Sequence, residues 1–324
     1  MKAMVCKRKA YVEEHPLELM EVPEPSPPED SILIDVEVCG VCRTDLHVIE
    51  GELPVVKEPV IPGHQVIGRR IDTGERVGVA WLHKSCGECR YCKRGDENLC
   101  DSPLFTGYHV DGGYAEKVAA HPDFIYPIPE GLPSLQAAPL ICAGIIGYRV
   151  FVRSRAKKGS RLALYGFGAS AHIVIQIALH FGCEVFVITR GEKHRALAKE
   201  MGASWVGDAS ERPPVKFDSA ILFAPAGELV PLALEALDKG GTLACSGIYM
   251  SQIPPLDYTE HLFQERTLTS VTANTRQDGY ELFRLAVEIP IRTHVEEFPL
   301  ESANDALVRL KNDEIRGAAV LRVT

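Results

Sequence analysis

Apolar and polar positions along this chain follow two different rhythms. In the first part, apolar residues come in short runs, such as 31–38 and 75–81, set between Pro and Gly clusters. Runs bounded by such breakers predict the strands of a β-rich unit. The stretch 21–30 carries Pro23, Pro25, Pro27 and Pro28 and predicts a loop. From about Arg161 the rhythm changes. A short apolar run at 161–165 ends in Gly166-Phe167-Gly168, and helical periodicity follows over 169–181. Then come a strand at 184–189, a helix at 192–201, a strand at 219–223, a helix at 228–237 and a strand at 242–247. Alternation of this kind predicts a parallel sheet covered by helices on both faces, with 268–272 as its last strand. The tail predicts two helices, 280–287 and 302–310, and a closing strand at 318–323.

Composition narrows the class. A length of 324 residues suggests about two domains. With 46% hydrophobic residues the chain can bury a sizeable core, which excludes a disordered or fibrous protein. The net charge of −9 disfavours a nucleic-acid partner, which calls for a basic face. The basic residues 1–10 are followed by an acidic, Pro-rich stretch rather than an apolar run, so no secretory signal is expected. The most apolar segment, 137–152, is interrupted by Pro139, Gly144, Gly147 and Arg149, and falls short of the ~20 residues that span a bilayer. The expectation is a soluble, cytoplasmic chain with no membrane partner. Its ten cysteines then point to metal or redox chemistry rather than disulfides.

Four of them form the sharpest local motif, Cys86-x2-Cys89-x2-Cys92-x7-Cys100. Four thiolates on one short loop close a tetrahedral zinc shell with no open position, which makes a structural site. Gly87 and Gly95 allow the tight turns of such a loop. An iron–sulfur cluster is the rival, but its usual run has a shorter last gap and a following Pro, whereas Asp101 follows Cys100. A lobe without metal, or a zinc ribbon that binds nucleic acid, are the remaining readings.

Gly166-Phe167-Gly168-Ala169-Ser170-Ala171 stands between an expected strand and an expected helix, as a dinucleotide fingerprint does. Gly166 makes the turn, Gly168 lets the backbone approach a pyrophosphate, and Ala171 keeps the helix close to the sheet; the alternative is a plain Gly-rich turn. The second strand ends in Thr189-Arg190, where an NAD enzyme usually places an acid. Arg190 suits a 2′-phosphate, so NADP is favoured over NAD. Lys193, His194 and Arg195 add positive charge there, or form only a solvated helix face.

No spacing rule links Cys42, His64 and Cys142. Each alone reads as a packed cysteine or a satisfied histidine. The order Gly40-Val41-Cys42-Arg43-Thr44-Asp45-Leu46-His47, Pro62-Gly63-His64, the four-cysteine lobe and Leu140-Ile141-Cys142-Ala143-Gly144 resembles the zinc-containing medium-chain alcohol dehydrogenases over nearly the whole chain. The resemblance implies an α/β protein with a β-rich, GroES-like catalytic domain, residues 1–143 and 274–324, around a doubly wound Rossmann domain, residues 144–273. It implies two zinc ions per subunit. Cys42, His64 and Cys142 would hold the catalytic one, with a fourth position open, and Cys86, Cys89, Cys92 and Cys100 the structural one.

It also implies a small alcohol or aldehyde as substrate, and a homodimer or homotetramer. Two thiolates and an imidazole leave zinc a Lewis acid that eases deprotonation of an alcohol. Thr44 would relay the proton and His47 carry it on. Asp45 would hold the far nitrogen of His64. Alternatively, His47 is a surface histidine and Asp45 a helix-start carboxylate. Arg43 and Arg316 would reach the pyrophosphate, or lie on the surface. Trp81, Ile145 and Leu46 would line the substrate pocket, or pack the core.

Two departures from the family pattern stand out. Gln65 replaces the usual Glu after the zinc-binding histidine, and segment 68–77 is trimmed around the turn Asp72-Thr73-Gly74. A zinc-free reductase and a non-catalytic zinc-ribbon protein are the alternatives, and Cys42, His64, Cys142, Thr44 and His47 argue against them.

Overall fold

The computed structural model describes residues 1–26, 28 and 30–324. Pro27 and Glu29, within the loop expected over 21–30, lie outside the described residues. Two compact units are present. The first comprises Met1–Ala143, Ala273–Val287 and Arg292–Thr324, and the second Gly144–Thr272 and Glu288–Ile291.

The first unit opens with β1 (Lys2–Cys6) paired antiparallel to β2 (Leu17–Glu21). Its spine is β3 (Ile32–Val41), which buries Ile34, Val36 and Val38 on alternate positions, as period-two patterning requires. Directly after it comes α1 (Arg43–Ile49). Along one edge β3 pairs with β4 (Gln65–Arg70). The register slips between Val36 and Val38, and a Cβ on the facing Gly68 would stand 2.1 Å from the Asp35 carbonyl oxygen. Only glycine fits so close an approach of backbones. A turn over Asp72-Thr73-Gly74, with Gly74 at φ +72°, leads to β5 (Arg76–Val79). Next, β6 (Leu82–Lys84) pairs with β7 (Leu104–Phe105), and the four-cysteine lobe lies between them in sequence. Then β8 (Lys117–Ala120) joins β3, and β9 (Ile125–Pro127) joins β5.

The apolar stretch 137–152 belongs to a buried, bent pair: a short α2 (Ser134–Ala137) continued by a turn to Ile141, then α3 (Ala143–Arg153). Among the described residues no single helix is long and apolar enough to cross a membrane.

The second unit alternates strand and helix: β10 (Arg161–Tyr165), α4 (Ala171–His180), β11 (Glu184–Ile188), α5 (Glu192–Glu200), β12 (Trp205–Gly207), β13 (Phe217–Leu222), α6 (Leu229–Ala236), β14 (Leu237–Cys245) and β15 (Thr267–Ser270). The described strands form one parallel sheet in the order β12-β11-β10-β13-β14-β15. Four consecutive residues of β10, Leu162–Tyr165, are buried, as expected of a strand covered on both faces. Each fully buried Leu there contributes about 2 kcal/mol of apolar burial. The strand order reverses at β10, the switch point where such sheets bind ligands.

The chain then returns to the first unit through α7 (Arg276–Glu288), β16 (Val295–Pro299), α8 (Ala303–Lys311) and β17 (Ala318–Arg322). β16 and β17 are parallel, and β17 lies antiparallel to the C-terminal half of β3. The edge of β3 opposite β4 is thus shared: β8 takes Ile32–Asp35, and β17 takes Val38–Val41.

Candidate active site and metal centres

β3 runs straight into Cys42, the residue that caps α1. The Cys42 Sγ accepts the Thr44 backbone N–H at 3.3 Å, and the Asp45 carboxylate accepts the Cys42 N–H at 2.9 Å. This is a capping box with a thiolate where a serine or threonine hydroxyl usually stands. One local motif therefore aims both Cys42 and Asp45. His64, fully buried at the start of β4, presents Nε2 3.2 Å from Cys42 Sγ and 3.3 Å from Cys142 Sγ. Its Nδ1 lies 3.0 Å from Asp45 Oδ1. The buried Tyr114 donates its hydroxyl to Asp45 Oδ2 at 3.2 Å. Gly63 makes room for it: its φ is +96°, and a Cβ there would stand 2.3 Å from the Tyr114 ring.

The electrostatics suit a cation. A hydrogen bond from Cys142 holds the Cys42 thiol well below its ordinary range, against burial and with help from His64. The same bond, together with burial, pushes Cys142 well up. Burial opposes charge on His64, but the Cys42 thiolate and Asp45 outweigh it and lift the imidazole to about 10. A proton on His64 thus offsets two buried anions, a task a divalent metal performs while displacing the proton. Geometry agrees. Zinc bonds of ~2.3 Å to sulfur and ~2.1 Å to nitrogen in a tetrahedron set the two donors about 3.6 Å apart, near the observed 3.2 and 3.3 Å. Three protein donors leave one position for a ligand.

Trp81 stands edge-on to His64 at 5.0 Å between ring centroids, and Phe105 and Tyr108 stack on it at 4.8 and 5.8 Å. Of the three side chains considered as pocket walls, Trp81 makes this ring contact with His64. Leu46 packs in the core of the first unit, and Ile145 is fully buried in the second. Thr44 is half-buried, and its side chain hydrogen-bonds the Cys42 thiol. His47 is buried, with Nδ1 hydrogen-bonded to Glu52. Gln65 is buried over Gly40. Arg43 pairs with Asp313, and the Arg316 backbone N–H donates to Glu296 at 2.8 Å.

In the four-cysteine lobe, Cys92 Sγ lies 3.9 Å from Cys86 Sγ and 3.6 Å from Cys89 Sγ. Tetrahedral zinc sets thiolates about 3.8 Å apart. Backbone N–H groups of Cys92 and Asp101 lower the Cys89 thiol to about 6, so a thiolate, the form a metal takes, is present near neutral pH. The N–H of Cys86 and of Ser102 each donate to Cys100 Sγ at 3.3 Å. A further acidic set, Glu235, Glu260 and His261, is already satisfied. His261 Nδ1 accepts the Asp257 N–H at 2.9 Å, and Nε2 can donate to Glu235 at 3.2 Å.

In the second unit Gly166 has φ +91° at the end of β10, and a Cβ there would stand 3.0 Å from the Ala224 nitrogen. At Gly168 a Cβ would meet no protein atom within 4 Å, so packing does not require a glycine there. Ala171, fully buried, begins α4. Thr189 is buried beyond the end of β11, with its hydroxyl donating to the Arg190 carbonyl at 3.4 Å, and Arg190 is exposed, its guanidinium without a hydrogen-bond or ion-pair partner among the described residues. Arg195 is not free: its guanidinium binds Asp208 at 2.8 Å and the Thr189 carbonyl at 3.1 Å.

Sequence reasoning missed Tyr114, Glu52, Phe105 and Tyr108. Tyr114 is 69 residues from Asp45 and left no local pattern to read.

Zinc-type donors in one unit, and a glycine turn at the switch point of a parallel sheet in the other, are the features of a metal- and dinucleotide-dependent oxidoreductase. Residues 28–130 match the alcohol dehydrogenase GroES-like domain family, and residues 171–288 the zinc-binding dehydrogenase family. The chain is 48% identical to a probable alcohol dehydrogenase, AdhA, of Mycobacterium tuberculosis (strain CDC 1551 / Oshkosh), over all of this chain and 97% of the relative. It is 34% identical to an alcohol dehydrogenase of Geobacillus stearothermophilus, over 95% of this chain and 96% of that one. A cinnamyl alcohol dehydrogenase of Sorghum bicolor superposes with a TM-score of 0.90 at 26% identity, covering 99% of this chain and 97% of that one. The chain belongs to the zinc-containing medium-chain alcohol dehydrogenase family. Neither the zinc-free reductase nor the zinc-ribbon binder is favoured.

Proposed function

We propose that this protein interconverts small primary or secondary alcohols and their aldehydes or ketones, with NADP favoured over NAD. One observation carries the reading: the donor atoms of Cys42, His64 and Cys142 converge within 4.8 Å of one another, and the Thr44 side chain hydrogen-bonds the Cys42 thiol beside them. Family membership supports it. When bound, zinc at these three residues would polarise an alcohol oxygen, and a nicotinamide would supply the acceptor for the hydride that leaves the adjoining carbon. A second zinc at Cys86, Cys89, Cys92 and Cys100 has a structural role.

The chain's own residues do the rest. Asp45, steadied by Tyr114, fixes the tautomer and direction of His64. Thr44 takes the alcohol proton and passes its own to His47. Gly166, Gly168 and Ala171 form the pyrophosphate turn. Thr189 leaves the ribose position without a repelling carboxylate, and the unengaged Arg190 meets a 2′-phosphate through charge-assisted hydrogen bonds. A cytoplasmic homodimer or homotetramer is the assembly we expect.

The test is elemental analysis combined with kcat/KM for a panel of alcohols with each cofactor. Two zinc ions and higher kcat/KM with NADP are expected. Fully active protein with one zinc or none would remove the two-site reading, and a clear NAD preference would remove the role of Arg190.

A further inference from the structure

We infer that Glu52 positions His47 for proton transfer, a part of the machinery supplied from the loop after α1; the inference rests on the alcohol dehydrogenation proposed above. After α1 the chain turns at Gly51, φ +76°, and folds back. The backbone N–H groups of Glu52 and Leu53 donate to the His47 carbonyl at 3.0 and 3.3 Å. That return brings the Glu52 carboxylate onto His47 Nδ1. Among the described residues the carboxylate has no other hydrogen-bond or ion-pair partner. Nearby acids are committed elsewhere. Glu50 binds the Val12 N–H at 3.0 Å and Lys311 at 2.8 Å, and Glu58 accepts the Lys9 N–H at 3.0 Å. Glu52 is therefore dedicated to the imidazole rather than part of a surface ion network.

Exposure is graded along this pair. The His47 side chain is 11% exposed and that of Glu52 38%, so the pair stands where the buried site meets water. An acceptor on Nδ1 keeps the proton there and leaves Nε2 as the base, the logic by which a carboxylate orients an imidazole in hydrolases. When Nε2 takes the proton handed on by Thr44, the imidazolium forms against an anion instead of alone in a largely buried place. The proton then leaves for water and the neutral imidazole is restored. One proton enters and one leaves, and no electrons move in this step.

A positioned acid–base group contributes roughly 10²–10⁴-fold to a rate, and its positioning partner a share of that. In the zinc-loaded enzyme, Glu52→Gln should lower kcat for alcohol oxidation about tenfold, with KM within about twofold and zinc content unchanged. The solvent deuterium isotope effect on kcat should rise as proton transfer becomes slower. Glu52→Asp should recover much of the rate. The double variant His47→Ala with Glu52→Gln should be no slower than His47→Ala alone, because Glu52 acts only through the imidazole. A Glu52→Gln enzyme with unchanged kcat and isotope effect, or additive losses in the double variant, would overturn the inference. If Thr44→Ala and His47→Ala are impaired while Glu52→Gln is not, only this inference fails. If the unmodified zinc-loaded enzyme oxidises no alcohol, the functional reading fails and takes this one with it.

Discussion

At the scale of single residues, the site depends on side chains whose roles differ in kind. With its hydroxyl as the proposed first acceptor of the proton, Thr44→Ala should lower kcat by roughly 10²–10⁴-fold; Thr44→Ser should keep most activity. Steady-state kinetics decide this, and full activity in Thr44→Ala would remove the relay. His83 offers a different test. Its ring is buried with Nδ1 unpartnered, and burial, with repulsion from His121 and Lys84, lowers it to about 4. The unfolded chain therefore binds a proton near pH 6.5 that the folded protein refuses. Stability should fall as pH drops from about 6.5 to about 4, by as much as about 3 kcal/mol from this residue. His83→Phe should flatten that part of the curve in urea melts at pH 7 and pH 4.5. Legibility at this scale was uneven. The cysteine lobe declared itself by spacing, whereas Cys42, His64 and Cys142 had no spacing to read and entered through the residues that flank them. Glu52 and Tyr114 were invisible because a carboxylate beside an imidazole, or a hydroxyl behind an aspartate, is set by tertiary contact.

At the scale of elements, the nucleotide half was the more legible. The expected 161–165 strand appears as β10, and the expected helices at 169–181 and 192–201 appear as α4 and α5, trimmed at their ends. Long alternation of buried strands and amphipathic helices carries a strong period. Short elements did not. β12 has three residues, and β16 reads Val-Glu-Glu-Phe-Pro, with two acids that mask its pattern. β4 ends in Arg69 and Arg70, two charges that interrupt its apolar pattern. The pairing of β3 and β4 hangs on Gly68. Gly68→Ala sets a Cβ 2.1 Å from a carbonyl oxygen, so the strands must part; a loss of about 2 kcal/mol or more is expected. Gly74→Ala, at φ +72° in open space, should cost only about 1 kcal/mol. Thermal melts of the two variants compare them directly, and equal losses would contradict the packing argument.

At the scale of the whole molecule, the two metal sets predict two separable phenotypes. Cys42→Ala should abolish turnover with the circular dichroism spectrum unchanged, because one ligand of an open site is lost. Cys89→Ala should instead lower Tm and expose the 86–100 lobe to proteolysis, because closed zinc sites hold their loop folded. Matching losses of activity and stability in both variants would argue against distinct roles. Cofactor choice also belongs here. Arg190→Ala should weaken NADP about tenfold or more in kcat/KM while hardly touching NAD, since a charged hydrogen bond contributes about 1.5–3 kcal/mol. Equal weakening of both would mean that Arg190 stacks on the adenine.

The shared edge of β3 has a consequence for the order of events on the ribosome. Val38–Val41, the stretch that delivers Cys42, waits for Ala319–Arg322 before its second edge is covered. About 280 residues must be made in between, which at ~5–20 residues per second takes roughly 15 to 60 s. Throughout that interval the nucleotide unit can fold while the metal-ligand strand keeps a bare edge. A nascent chain stalled after residue 300 should therefore hold a protease-resistant second unit but fail to retain zinc at Cys42, His64 and Cys142. Release of the last two dozen residues, rather than zinc supply, would then be the event that switches the catalytic metal site on.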